Sequence, residues 1–122
     1  LTNHYVSEEL RSKSMPRDQY PSTYLRYERL QQLMHENHGD ISFRHMLAFL
    51  QDHERGPQNS ICRHATGVND QDQSQDKRRE QARKPETGQS ISQVGLIMIV
   101  EEGELWATLV NPCEAIKRVA IN

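Results

Sequence analysis

The stretch from Ser92 to Val110 constrains the fold more than any other part of this chain. Val94, Leu96, Met98 and Val100 alternate with Gly95, Ile97 and Ile99, so a strand here is apolar on both faces. Leu105, Ala107 and Leu109 alternate with Trp106, Thr108 and Val110 in the same way. Between the two runs, Glu101-Glu102-Gly103-Glu104 supplies a hairpin turn, with Gly103 free to take a positive φ. Such a hairpin must be covered on both sides, with helices on one face and a further layer, such as a second sheet, on the other.

The rest of the chain is short of material for two covers. Of its 122 residues only 34% are hydrophobic, and the mean hydropathy is -0.88. A first helix is predicted over Thr23 to Asn37, opened by the Pro21-Ser22 signal and stopped at Gly39. Its apolar face is Tyr27, Leu30, Leu33 and Met34. A second helix is predicted over Ser42 to Asp52, capped by Asp40 or Ser42 and ended by Gly56-Pro57. Phe43, Met46, Leu47 and Leu50 fall at i, i+3, i+4 and i+7, which is an amphipathic pattern. The two helices are expected to form an antiparallel pair joined by a short turn. Residues 7–21 are polar and broken by two prolines, and read as a loop. Ser60 to His64 reads as a short strand or a site loop. Residues 67–89 hold Val68 and Ala82 as their only aliphatic side chains, among five acidic and five basic residues. They are predicted to be a mobile loop, with a short charged helix over Asp76 to Lys84 as the alternative.

Two helices and one hairpin do not cover both faces of that hairpin. The chain also opens at Leu1 rather than Met, and Thr2-Asn3-His4-Tyr5 reads as the end of a strand. The expectation is therefore one portion of a larger domain whose remaining part lies upstream. Taken alone, such a portion should expose either Ile97, Ile99 and Trp106 or their opposite-face neighbours.

Charge and composition exclude several functions. Fifteen Lys plus Arg against seventeen Asp plus Glu leave a net charge of -2, against the basic excess of a nucleic-acid binder. The Lys77-Arg78-Arg79 cluster is cancelled by acids in its own segment, and no aromatic is interleaved for base stacking. No apolar run is longer than Leu96 to Val100, far short of the ~20 residues that span a bilayer. No secretory signal opens the chain, and two cysteines make no disulfide framework. The expected setting is soluble and cytoplasmic, with neither nucleic acid nor membrane as partner.

Candidate chemistry is sparse. His35 and His38 share a face of the first helix beside Glu36, a spacing that zinc sites use, but Cys62 and His64 complete no recognisable metal pattern. A solvated helix end is the plainer reading, and no metal site is expected. Cys62 lies beside Arg63 and His64, whose charges favour thiolate. In a strand-like run, however, alternation sends Cys62 and Arg63 to opposite faces, so a packed core cysteine is expected. Cys113, after Asn111-Pro112, reads as packing at a strand end, and neither thiol has a base evident in sequence.

Four segments taken in order carry a resemblance. They are Thr2-Asn3-His4-Tyr5, Arg26-Tyr27-Glu28-Arg29-Leu30, Ser60-Ile61-Cys62-Arg63-His64 and, after the hairpin, Asn111-Pro112-Cys113. Together they resemble the C-terminal part of the acyl-coenzyme A:6-aminopenicillanic acid (isopenicillin N) acyltransferase family. Its members are N-terminal-nucleophile hydrolases, relatives of conjugated bile acid hydrolase and penicillin V acylase. The similarity spans nearly the whole chain outside residues 7–21 and 67–89. It implies an α+β fold of the αββα sandwich type, with residues 1–122 as the C-terminal portion of one domain. It also implies a cysteine thiolate, exposed by self-cleavage of a precursor, that attacks an amide or thioester carbonyl with its own α-amine as base.

On this resemblance Asn3 matches an asparagine whose side-chain amide helps to form the oxyanion hole, an interaction worth ~3–4 kcal/mol in comparable sites. Arg63 matches an arginine near the nucleophile that would favour its thiolate, and His4 and Ser60 would stand behind these two. A strand-end turn residue at Asn3 and a structural ion pair at Arg63 are the alternatives. The family's nucleophilic cysteine belongs to a part that this sequence does not contain, and Cys62 belongs to a different motif. The residues as given are therefore expected to be inactive alone and to depend on a partner segment or subunit that carries the nucleophile. The implied substrate is a small amide or acyl thioester, acyl-CoA is a candidate cosubstrate, and no metal or organic cofactor is implied. The competing reading is a non-catalytic interaction module that uses the helix pair and the exposed hairpin edge.

Overall fold

The computed structural model describes residues 3–65, 91–108 and 110–119. The predicted loop over 67–89 lies outside the described residues, as do Leu1, Thr2 and Leu109. The element order is α1 (Glu8–Arg11), α2 (Pro21–Glu36), α3 (Phe43–Leu50), β1 (Leu96–Ile99), β2 (Glu104–Thr108) and β3 (Ile116–Val119). The three strands form one antiparallel sheet in the order β1-β2-β3, so the domain is α+β.

Both main helices lie where their periodicity predicts, with different ends. Helix α2 begins at Pro21, which occupies the first turn where its missing N–H costs nothing. Ser22 is therefore not the cap; its Oγ donates to Gln58 O at 2.9 Å. At α3 the cap is Ser42, whose side chain accepts from His45 N while His45 Nδ1 accepts from Ser42 N at 3.2 Å. The apolar face of α2 is only partly used: Met34 is exposed and Thr23 is the helix's one buried residue. Inside the segment read as a loop, Glu8–Arg11 forms one helical turn. Tyr24 Oη donates to Met15 O at 2.7 Å, which ties that segment to α2. Residues 3–6 are irregular and not the end of a strand. Thr23 takes up Asn3 N and the His4 ring, and Ser14 Oγ takes up Tyr5 N, so these contacts replace strand pairing.

The hairpin forms in the predicted register, pairing Ile97 with Trp106 and Leu96 with Ala107, and Gly103 turns it with φ +63°. Strand β3, which the sequence reading missed, adds to β2 and is held by Arg118 Nη2 on Glu104 Oε1 at 2.8 Å. Its four residues carry too little apolar pattern to stand out. Helix α3 covers one face of the sheet, with Phe43 against Trp106 at 5.0 Å between ring centroids. The approach is close at Gly95, where a Cβ would meet Leu50 Cδ1 at 3.1 Å and Thr108 Oγ1 at 3.3 Å. Phe49, Leu50, Cys62, Ile97 and Ala107 form the buried apolar core. On the opposite face Val94, Leu96, Met98 and Val100 are between 57% and 78% exposed. Among the described residues α3 covers one side of the hairpin, and the exposed residues Leu96, Met98 and Val100 are opposite-face neighbours of Ile97 and Ile99. Among the described residues no helix is long and apolar enough to cross a membrane.

Candidate functional site

Thr23 fixes the N-terminal segment onto α2. Its Oγ1 accepts from Asn3 N at 2.7 Å and lies 2.9 Å from His4 Nδ1, while the His4 ring stacks on Tyr24. Asn3 Oδ1 then accepts from Arg26 Nη2 at 3.2 Å. With its oxygen held by a guanidinium, the Asn3 amide has its NH2 group left to donate outward.

Arg26 and Arg63 share a cleft of about 240 Å³ whose walls include Tyr27, Leu30, Leu50, Ile61, Val94 and Pro112. None of the described residues that line it is acidic. Burial lowers the pKa of both guanidiniums, and the charge of Arg63 lowers Arg26 further. Both remain cationic, because an arginine has so far to fall before it loses its proton. Arg63 Nε is buried without an acceptor among the described residues. Two cations beside Leu30, Leu50 and Ile61, with Ser92 and Gln93 also in the lining, make a cleft suited to a group with both an apolar part and an anionic or strongly polarised end. Asn3 and Arg63, sixty positions apart, therefore meet through Arg26, a residue the sequence reading did not single out. A lone arginine on an amphipathic helix gives no signal of its own.

Behind the cleft the chain is bound by backbone and side-chain hydrogen bonds. Cys62 N donates to Asp52 O at 3.0 Å, and His64 N to Pro57 O at 2.8 Å. Ser60, fully buried, accepts from Arg55 N, which makes it a brace for this loop. Ser92 Oγ donates to Ile61 O at 2.9 Å and accepts from Arg63 N at 3.0 Å. With its amide turned to donate, Asn111 reaches Ser92 O at 2.7 Å and Arg63 O at 2.9 Å. Gln51 Nε2 donates to Pro112 O at 3.0 Å.

These bonds bring His53, Cys62, His64 and Cys113 together, with one potential ligand atom from each and all four atoms within 4.8 Å of one another. His64 Nε2 lies 2.9 Å from His53 Nε2, 3.5 Å from Cys62 Sγ and 3.4 Å from Cys113 Sγ. Both cysteines are free thiols. The hydrogen bonds of Cys62 and His64 hold Cys113 well below the usual thiol pKa; its interaction with Cys113, joined by burial, pushes Cys62 up. The structure keeps His64 beside Cys62, as the sequence places it, and gives Cys113 the same imidazole as a neighbour, which sequence spacing did not reveal. Cys62 is fully buried, as the alternation argument requires. His35, Glu36 and His38 stand exposed at the end of α2 and take no part in this group. His53 was not singled out in sequence, because nothing local joins it to a cysteine sixty positions on.

Comparison with family models, with curated proteins and with solved structures finds no match for this chain.

Proposed function

We propose that these residues form the C-terminal part of a cysteine-dependent acyltransferase or amide hydrolase of the N-terminal-nucleophile type. The observation that carries the reading is the link from Asn3 through Arg26 to a cleft that Arg26 shares with Arg63 and whose described lining holds no acidic residue. In the proposed reaction the substrate's acyl group lies against Leu30, Leu50 and Ile61. A thiolate from a segment or subunit outside these residues adds to the carbonyl carbon, and the Asn3 amide donates to the oxyanion that forms. Collapse of that intermediate expels the amine or thiol as a proton returns to it. The resulting acyl-enzyme passes to water or to an acceptor amine. Arg63 favours the thiolate form of the nucleophile, and Arg26 holds Asn3 in the donating orientation. Acyl-CoA is a candidate acyl donor. The chemistry uses no metal or organic cofactor, and these residues alone are inactive. The bare apolar face at Leu96 and Met98 supports the αββα arrangement, in which a second sheet of the same domain would cover it.

The same face favours a second reading, a non-catalytic module that places another protein's surface against the hairpin. The test uses the gene product that contains these residues, assayed for cleavage of N-acyl amides and acyl thioesters beside its Asn3→Ala and Arg63→Ala variants. Asn3→Ala is expected to lower kcat by about 10²–10³ with the fold intact, and Arg63→Ala to reduce turnover as well. Full activity in both variants would remove these residues from the site. No turnover of either substrate class by the unaltered protein would leave the module as the better reading.

A further inference from the structure

The residues that wall the cleft alternate with residues that belong to another site. Ile61, Arg63 and Pro112 line the cleft, whereas Cys62, His64 and Cys113 beside them gather with His53. We infer that His53, Cys62, His64 and Cys113 form a Cys2His2 site for a tetrahedral divalent cation, zinc above all, that locks together the loops forming the back of the cleft.

The ligand set is the first argument. Two imidazoles and two thiols are the donors a structural zinc ion takes, and soft thiolates select against magnesium and calcium. Two thiolates also neutralise the ion, so its burial costs little in charge.

Geometry is the second. Zinc–nitrogen bonds near 2.05 Å and zinc–sulfur bonds near 2.3 Å at a tetrahedral angle put nitrogen and sulfur about 3.5 Å apart and two nitrogens about 3.3 Å apart. The observed sulfur-to-nitrogen separations are 3.5 and 3.4 Å, and the two ring nitrogens are 2.9 Å apart. The two sulfur-to-nitrogen separations match those of a shared ion, the two nitrogens lie closer by a few tenths of an ångström, and all four donors fall within 4.8 Å of one another.

The third argument is crowding at a single atom. His64 Nε2 has either one proton or one lone pair, yet it faces a ring nitrogen and two sulfurs at these distances. Three such contacts cannot all be hydrogen bonds. A cation at the centre turns every one of them into a separation between neighbouring ligands. Because all four positions come from the protein, no place is left for substrate or water, and the site is structural.

The need for it lies in the core, where the largest fully buried side chains among the described residues are Thr108, Cys62 and Ser60, all small. A junction built from such small side chains gains from a staple. Here the staple joins the segment after α3, the 60–64 loop and the turn after β2, which are sixty positions apart at their extremes.

The test is cobalt titration of the full reduced chain, followed by displacement with zinc. One cobalt per chain is expected, with strong tetrahedral visible bands and thiolate-to-metal charge transfer, both lost as zinc binds. His53 is exposed, so His53→Ala should fold and yet weaken cobalt binding by about 100-fold or more. Cys113→Ser should remove part of the charge-transfer intensity; where that variant fails to fold, the wild-type titration and His53→Ala decide. Chelation should lower the thermal midpoint by about 10 °C or more. Absent thiolate bands, cobalt binding indifferent to His53→Ala, or a Cys62–Cys113 disulfide in protein prepared with zinc would each overturn the site.

Discussion

Around Ser60, Cys62 and Thr108 no side-chain surface reaches solvent, whereas along the sixteen residues of α2 Thr23 alone is buried. The first region is the junction of α3, the sheet and the loops behind the cleft. Its members are small, and they are held by hydrogen bonds from Ser92, Asn111 and Gln51 to backbone carbonyls. The second region meets its neighbours through charge: Arg17 with Glu28, and Arg29 with Asp52 and Glu54. The difference teaches where this chain concentrates its order. With few apolar residues to bury, it gathers them with satisfied polar groups at one junction and leaves α2 attached by ion pairs and polar anchors. Buried polar groups that are paired specify a geometry tightly, while exposed ion pairs such as Arg17 with Glu28 hold it loosely. The proposed metal site and the back of the cleft both lie at the tight end, and Asn3, bonded to Arg26, lies at the loose end.

The comparison is broken most severely at the contact between the two regions. Arg29 Nε donates to Asp52 Oδ2 at 2.9 Å, with both side chains almost wholly buried. Asp52→Ala leaves that guanidinium without its buried partner and should cost about 3 kcal/mol in urea unfolding. Next comes Asn111→Ala, which strips donors from Ser92 O and Arg63 O. A loss of about 2 kcal/mol is expected, together with weaker metal binding, because the two loops those bonds join carry or adjoin three of the ligands. The smallest effect sharpens the contrast. Glu54 binds the same guanidinium as Asp52 but is half exposed, so Glu54→Gln should cost less than about 1 kcal/mol. An equal loss for Asp52→Ala and Glu54→Gln would erase the distinction between the two regions.

Parts of this architecture were legible from residue order alone. The i, i+3, i+4 spacing of Phe43, Met46, Leu47 and Leu50 marks α3, and Ser42 caps it. The two-faced alternation on either side of Gly103 marks the hairpin. Both patterns are local, since a helix and a tight hairpin join residues a few positions apart. Met34 misled because a periodic apolar stripe shows what a helix can bury, not what lies opposite it. Strand β3 escaped because four residues paired at a sheet edge need little apolar pattern of their own.

Tertiary structure alone decided the rest. Asn3 meets Arg63 only through Arg26, which α2 carries to the cleft. His53, Cys62, His64 and Cys113 have no regular spacing, so no periodicity or short motif joins them. Their convergence depends on Asp52 O receiving Cys62 N, on Ser92 bridging the 60–64 loop, and on Asn111 bonding to both. Local preferences follow from backbone sterics and side-chain period, which any stretch of sequence displays. A site assembled from distant loops follows from which buried carbonyls find donors, and that is settled only when the whole chain has packed.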